Sequence, residues 1–182
     1  MKFPFRAPIL LLLAMPAMAW AVAYSTALLR LEIPPGFEGP MMQYPEPGLK
    51  LVGYSKPYPD GVGKTLLLVT TYEYGVGLEK MSDAERGEAA GKYLQQLLKG
   101  VEKTRTGFTS TIAVPLRLDG VPAMHSEWCG EAFGRRMSGV MYCAVPGSRV
   151  ACFHTQDFEG APAGNREAAI AAFESVEFKK TR

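Results

Sequence analysis

The amino-acid sequence predicts an α+β protein in which an antiparallel β-sheet packs with two main helices. Residues 112–157 form four consecutive runs of strand-like sequence joined by short turns, and strands connected in this way pair antiparallel. Two segments with helical hydrophobic spacing, one before this block and one after it, predict helices that cover the sheet. With 182 residues, 47% hydrophobic and 21% charged, the chain is long enough to bury a core of its own.

The N-terminus has the pattern of an export signal. Lys2 and Arg6 precede an apolar run over residues 9–15, and a small-x-small pattern for signal peptidase ends at Ala19. We therefore expect residues 1–19 to be a signal peptide that is cleaved after Ala19, with Ala21 as the neighbouring choice. The mature protein is then periplasmic or secreted, without stable membrane insertion.

The charge balance of the mature chain excludes some classes of partner. Removing Lys2 and Arg6 from the 20 basic residues leaves 18 basic against 18 acidic residues, so the mature chain is formally neutral. A neutral chain without a basic run offers no electrostatic footprint for nucleic acid or an anionic membrane. The alternative to cleavage is an uncleaved membrane anchor, because no charge separates Arg6 from Arg30.

The first half of the mature chain predicts three strands. Residues 28–33 form a short strand, and a Pro/Gly-rich loop follows as far as Gly48. Residues 49–55 and 65–74 predict the next two strands because they are rich in β-branched, Leu and Tyr residues. The Gly-Val-Gly-Lys-Thr run at residues 61–65 lacks the first glycine of a phosphate-binding loop and leads into a strand, so we do not expect a nucleotide site.

Each predicted helix begins with a capping signal. Ser82 is followed three residues later by Glu85, which is the capping-box pattern, and Asn165 is followed by Glu167 in the first turn of the second helix. Both helices carry an apolar stripe at helical spacing, made of Ala90, Tyr93, Leu94, Leu97, Leu98 and Val101 in the first and of Ala169, Ile170, Phe173 and Val176 in the second.

The four-strand block has two clear hairpin signals. The first is Asp119-Gly120, a two-residue turn that sets Leu116 opposite Ala123. After a returning strand that ends near Cys129, residues 130–135 predict a polar loop. The chain then forms a third strand and turns again at Pro146-Gly147-Ser148.

This last hairpin brings chemistry-bearing residues together. A two-residue loop at Gly147-Ser148 sets Cys143 opposite Cys152 and Met141 opposite His154. An exported chain with three cysteines is expected to form one disulfide or none, and we predict a Cys143–Cys152 bond. A bond between Cys129 and Cys143, or three free thiols, remain the alternatives.

The same four residues are weak candidates for a metal site, because Met141, Cys143, Cys152 and His154 would project from one face and offer soft S and N ligands. A core face explains them better, since we expect it to be continuous with Ile112, Val114, Leu116 and Ala123, and oxidation would consume the thiols. We expect no metal, cofactor or catalytic residue. His125 has no nucleophile beside it, because the Ser126 side chain points to the opposite sheet face.

The other face of the block is predicted to be aromatic. Two readings are open for it, a face covered by a helix and an exposed groove for a partner peptide or apolar ligand. We assign to this face Met124, Trp128, Tyr142 and Phe153.

The order of elements resembles the PsbP-like superfamily, which includes exported bacterial proteins of the DcrB type. The resemblance spans residues 28–178 as one domain, and it rests on Pro-Pro-Gly-Phe at 34–37, Leu-Asp-Gly-Val-Pro-Ala at 118–123 and the helix sequence at 167–176. It implies an α/β/α sandwich and a binding or assembly role without a shared catalytic constellation.

Together these observations predict an exported, non-enzymatic binding or assembly module of the bacterial envelope, whose partner is a protein or another envelope component. The alternative is a small metal-handling protein or hydrolase that uses the Cys/His hairpin.

Overall fold

The computed structural model describes residues 21–73 and 80–179. The predicted signal peptide, residues 1–19, lies outside the described residues, as does Tyr74. In chain order the elements are β1 (Val22–Ser25), β2 (Leu29–Ile33), β3 (Glu38–Glu46), β4 (Leu49–Pro57), β5 (Lys64–Glu73), α1 (Asp83–Glu102), β6 (Thr106–Ser110), β7 (Val114–Leu118), β8 (Val121–Ala132), β9 (Arg135–Ala144), β10 (Arg149–Phe158), α2 (Asn165–Glu174) and β11 (Glu177–Phe178).

The strands form two sheets, and the predicted α+β fold class is confirmed. An eight-stranded sheet has the order β3-β4-β5-β10-β9-β8-β6, and β7 pairs with β8 as well. A small three-stranded sheet has the order β1-β2-β11. Every pairing within the described residues is antiparallel.

The two faces of the large sheet are covered by different elements. On the face that we call the α1 face, Leu94 and Leu98 of α1 pack with Trp128, Met141 and the two hairpin cysteines. Apolar burial of this helical stripe is what holds α1 on the sheet.

The opposite face, called the α2 face, packs against α2 and the small sheet together. Phe173 of α2 and Leu29 of β2 are fully buried there, with Tyr142 and Phe153 from the large sheet. Each strand contributes alternate residues to the two faces, because successive side chains point to opposite sides of a strand.

The helix starts follow the predicted capping signals, with one correction. At α1 the Ser82 hydroxyl accepts the Glu85 backbone N–H at 3.3 Å, and a Glu85 carboxylate oxygen accepts the Ser82 N–H at 2.7 Å. At α2 the cap is Gly164 rather than Asn165, which is the first helical residue. Glu167 still caps the N-terminus of α2, since its carboxylate accepts the Gly164 N–H at 3.0 Å. Neither helix of the described ranges combines the length and hydropathy needed to cross a bilayer.

Strand β3 is a correction to the predicted loop between residues 34 and 48. Its two prolines, Pro40 and Pro45, made this segment look like a loop, but β3 forms one edge of the large sheet. A proline that lacks an N–H donor is tolerated on an edge strand, where one side of the backbone is unpaired. Both prolines fall where the register between β3 and β4 shifts.

The polar loop predicted for residues 130–135 is also wrong. Strand β8 continues to Ala132 and β9 begins at Arg135, which leaves Phe133-Gly134 as a two-residue turn. Phe133 adopts a left-handed φ of 55°, a conformation that favours Gly or Asn. Because a phenylalanine is unusual at this position, the sequence does not indicate a turn here. Strand β6, on the outer side of β8, is a further element that the sequence pattern does not predict.

Candidate functional site

The hairpin formed by β9 and β10 has the predicted register. Cys143 lies opposite Cys152 and Met141 lies opposite His154. The two cysteines are joined by a disulfide, which confirms the predicted pairing. Cys129 is free and only partly buried, and its sulfur lies 3.0 Å from the Thr109 hydroxyl on β6.

His154 sits beneath α1 in a neutral state. Its Nε2 accepts a hydrogen bond from the Trp128 indole N–H at 3.2 Å. Burial lowers the pKa of His154 to about 3, and the nearby Arg105 cation acts in the same direction. An imidazole that is neutral and accepts through Nε2 carries its proton on Nδ1, so the ring keeps one N–H donor.

The weak metal candidates share the α1 face, but their donor atoms are engaged. The disulfide removes the two thiolates that a soft metal would need. The Trp128 N–H already bonds to Nε2 of His154. Of the four candidate metal ligands, the Met141 thioether is therefore the one whose ligand atom is not engaged in one of these two bonds. Within residues 21–73 and 80–179 no group of three His, Cys, Asp or Glu residues is arranged to hold a metal ion.

His125 and Ser126 lie on opposite sides of β8. His125 stacks on the Tyr142 ring, with centroids 5.5 Å apart, whereas the buried Ser126 hydroxyl donates to the Thr111 carbonyl at 2.9 Å. Tyr142 in turn donates to Glu174 at 3.3 Å, and burial, followed by the Glu174 charge, raises the pKa of Tyr142 to about 12. These contacts link β8 to β9, β9 to α2, and β8 to the segment between β6 and β7.

The face predicted to be aromatic is split by the register. Met124 lies opposite Cys143 and Trp128 opposite Gly139, so both belong to the α1 face, whereas Tyr142 and Phe153 belong to the α2 face. The error comes from the misplaced loop between β8 and β9, because a one-residue slip moves every side chain to the other face. The expected continuity of the cysteine face with Ile112, Val114, Leu116 and Ala123 is wrong for the same reason. Leu116 and Ala123 pack on the α2 face, and Ile112 and Val114 are exposed.

An apolar cavity lies on the α1 face between α1 and the middle of the sheet. It has a volume of about 230 Å³, and Leu97 and Val101 of α1 form one wall. Leu51 and Leu68 from β4 and β5 line it from the sheet, and His154 borders it. The cavity exists because α1 lies over β8 and β9 and leaves β4 and β5 only partly covered.

Strand β3 exposes large apolar side chains at the edge next to this cavity. Met41 and Met42 are each 52% exposed and Tyr44 is 68% exposed. A Cβ atom placed on Gly53 would lie 3.9 Å from the Met41 methyl and 3.1 Å from Leu68, so Met41 lies on the cavity side of the sheet. Met42 and Tyr44 point the other way, and the Tyr44 hydroxyl donates to the Met42 sulfur at 3.8 Å.

Sequence reasoning missed β3 as an exposed edge strand. The signal that could have identified it is the run Met41-Met42-Gln43-Tyr44, which is uncharged, rich in large side chains and bounded by Pro40 and Pro45. Prolines at both ends of a short strand-like run are typical of an edge strand.

Comparison with known proteins gives the fold and no more. No protein-family model matches the chain, and a search of curated proteins finds no match. Among solved structures, the chain is similar to PA94 of Pseudomonas aeruginosa, described as a protein of unknown function with a suggested regulatory role. The identity is 13% and the TM-score 0.52, over 89% of this chain and 99% of that one.

Two weaker similarities have TM-scores below 0.5. LpqN of Mycobacterium tuberculosis, described as involved in cell envelope biogenesis, has 13% identity and a TM-score of 0.47 over 78% of this chain and 85% of LpqN. A Bacteroides thetaiotaomicron protein has 11% identity and a TM-score of 0.48, over 90% of this chain and 50% of the longer protein. None of these descriptions names the PsbP-like superfamily, so membership stays a prediction. What the chain shares with PA94 is its α+β fold.

Proposed function

We propose that this chain is an exported, non-enzymatic binding or assembly module of the bacterial envelope, which holds a partner protein by pairing one of its extended segments with the free edge of β3. The observation that carries the proposal is the exposure of Met41, Met42 and Tyr44 on β3, an edge strand of the large sheet. Large apolar groups gathered at one exposed place are characteristic of protein-binding surfaces.

An edge strand offers more than apolar contact. Its outward backbone N–H and C=O groups can pair with an added strand, which is the recognition mode called β-augmentation. Pro40 and Pro45 restrict regular pairing with β4 to the residues between them. A short open stretch with prolines at both ends limits uncontrolled edge-to-edge pairing and still accepts one short segment.

The side chains of β3 fit an added strand on both faces. Met41 would contact residues of the partner strand on the cavity side, and Met42 and Tyr44 would contact its residues on the opposite side. Methionine side chains are flexible and polarisable, so they adapt to different partners. We therefore expect selectivity for apolar side chains in the bound segment.

The sequence supports the proposed location of the protein and the proposed class of partner. The export pattern at residues 1–19 supports a periplasmic or secreted protein, and the neutral mature chain supports a partner that is neither nucleic acid nor an anionic lipid surface. Membership in the PsbP-like superfamily is part of the same proposal, and the order of strands and helices supports it.

A photo-cross-linking experiment tests the β3 interface. Benzoylphenylalanine is placed at position 42 in one variant and at position 112 in a control variant, and both are irradiated in cells that export the protein. Ile112 is a matched control because it is apolar and 89% exposed but lies between β6 and β7 rather than on an open strand edge.

We expect position 42 to give a discrete cross-link to another envelope protein and position 112 to give none. Identical products from the two positions would contradict the proposal, because they would reflect exposure alone. A product that contains only two copies of this chain would also contradict it, since β3 would then be a dimer interface.

A further inference from the structure

The cavity beneath α1 is half open to solvent, and it is lined mainly by apolar side chains from four strands of the large sheet and from the helix. Its volume of about 230 Å³ exceeds the volume of about 150 Å³ at which an apolar protein cavity already takes up benzene. The lining residues that determine its chemistry are Leu51, Leu68, Leu97, Val101, Met141 and His154.

His154 supplies one directional polar group in this lining. Its Nε2 is already the acceptor of the Trp128 N–H, so the remaining N–H of the neutral ring is at Nδ1. Within residues 21–73 and 80–179, the hydrogen bond found for the His154 ring is the one at Nε2. Thr70 also belongs to the lining, and its side chain carries a hydroxyl. Binding sites for small molecules commonly combine apolar walls with a few polar groups of this kind.

Gly100 lies at the mouth of the cavity. It lies on α1 one turn after Leu97 and next to Val101, and it is part of the lining. A Cβ atom added at Gly100 would meet no atom within 4 Å. Position 100 lies on the side of the helix that also carries Tyr93, which contacts Tyr72 of β5, so a larger side chain there would extend over the opening.

We infer that this cavity binds a small aromatic or short-alkyl molecule that carries one hydrogen-bond acceptor, and that the acceptor is held by His154. The inference is independent of the proposed pairing at β3, because none of the exposed β3 residues lines the cavity. It assigns the α1 face a ligand site of a defined chemical class.

Two probe molecules with equal numbers of non-hydrogen atoms test this inference. Acetophenone carries a carbonyl acceptor, and α-methylstyrene has a closely similar planar shape with a CH2 group in place of the oxygen. Binding is followed by the NMR signal of the Met141 methyl group, which lines the cavity. We expect both probes to shift this signal in a saturable way and acetophenone to bind about fivefold more tightly, as one additional hydrogen bond implies.

Two helix variants make the test specific for the cavity. Gly100→Leu fills the mouth, whereas Gly87→Leu makes the same replacement on α1 at a position that also meets no atom within 4 Å and does not line the cavity. We expect Gly100→Leu to weaken both probes by at least about tenfold and Gly87→Leu to leave them unchanged. His154→Leu should remove the preference for acetophenone.

Three results would overturn the inference. The first is an absence of saturable shifts of the Met141 signal in the wild-type protein. The second is equal binding of the probes by the Gly100→Leu and Gly87→Leu variants. The third is equal affinity of the wild-type protein for the two probes, a comparison that requires no variant to fold.

Discussion

On the α2 face of the large sheet, a helix and a second sheet together bury the side chains, whereas on the α1 face a single helix covers only part of the surface. Phe153 and Phe173 on the α2 face are 0% exposed, and their ring centroids are 5.4 Å apart. On the α1 face, Leu51 and Leu68 are only partly buried, and a cavity separates them from α1. The same sheet therefore has one sealed face and one incompletely covered face.

This difference predicts that stability and the proposed binding depend on different parts of the large sheet. Burial of apolar area and close packing supply most of the folding free energy, so the α2 face should dominate stability. The uncovered part of the α1 face leads towards the exposed edge strand β3, and a chain that sealed this region would lose its accessible apolar surface. The following predictions test that division.

The largest effect is expected from truncating the centre of the α2 face. Phe173→Ala should lower the free energy of unfolding by about 3 to 5 kcal/mol, because Phe173 is fully buried against Phe153 and Tyr142. Leu97→Ala on the α1 face should cost only about 1 kcal/mol, since Leu97 is half-buried and borders a cavity. Urea denaturation measures both, and equal losses would show that the two faces contribute alike.

The disulfide is expected to contribute less to the free energy of unfolding than the packing on the α2 face. Cys143 and Cys152 are nine residues apart, so closing this loop stabilises the fold by at most about 2 to 3 kcal/mol, and the reduced protein should stay folded. Circular dichroism with and without reductant measures this change. Peptide mapping after alkylation should find Cys129 labelled and the other two linked, and unfolding on reduction would contradict the prediction.

The α1 face should also give the protein a pH dependence. The pKa of folded His154 is about 3, below its ordinary value of 6.5, so between these values the unfolded chain binds a proton that the folded chain does not. The free energy of unfolding should therefore fall as the pH decreases below 6.5, by about 1 to 2 kcal/mol at about pH 5. The His154→Gln variant should lose most of this slope in urea titrations, and an unchanged slope would show that His154 is not buried as a neutral ring.

The smallest effect on stability is expected at β3. Replacing Met42 and Tyr44 together by Lys should change the free energy of unfolding by no more than about 0.5 kcal/mol per residue, because both side chains are mostly exposed. The same double variant should lose partner binding, since lysines on an edge strand oppose the addition of another strand. Retention of the partner in cross-linking from position 41 would contradict this prediction.

The sequence predicted the parts of the fold that depend on local signals. The turn at Asp119-Gly120, the capping box at Ser82 and the disulfide register at Gly147-Ser148 each rest on a short motif with a direct geometric consequence, and the structure contains all three.

The parts it did not predict depend on long-range context. The turn at Phe133 has no turn residue at its first position, and its strained φ is imposed by the pairing of β8 with β9. Strand β3 was hidden by its prolines, which only an edge position allows. The cavity could not be predicted either, because it depends on where α1 crosses the sheet rather than on any run of residues.

Methionine oxidation tests most directly the claim that the β3 edge is occupied by a partner. Met41 and Met42 are each 52% exposed, whereas Met137 is 5% and Met141 2% exposed. In the isolated protein, dilute hydrogen peroxide should oxidise the first pair much faster than the second. In intact cells that export the protein, we expect Met41 and Met42 to be protected severalfold while Met137 and Met141 stay slow. Equal oxidation of Met41 and Met42 in the isolated protein and in cells would contradict the account.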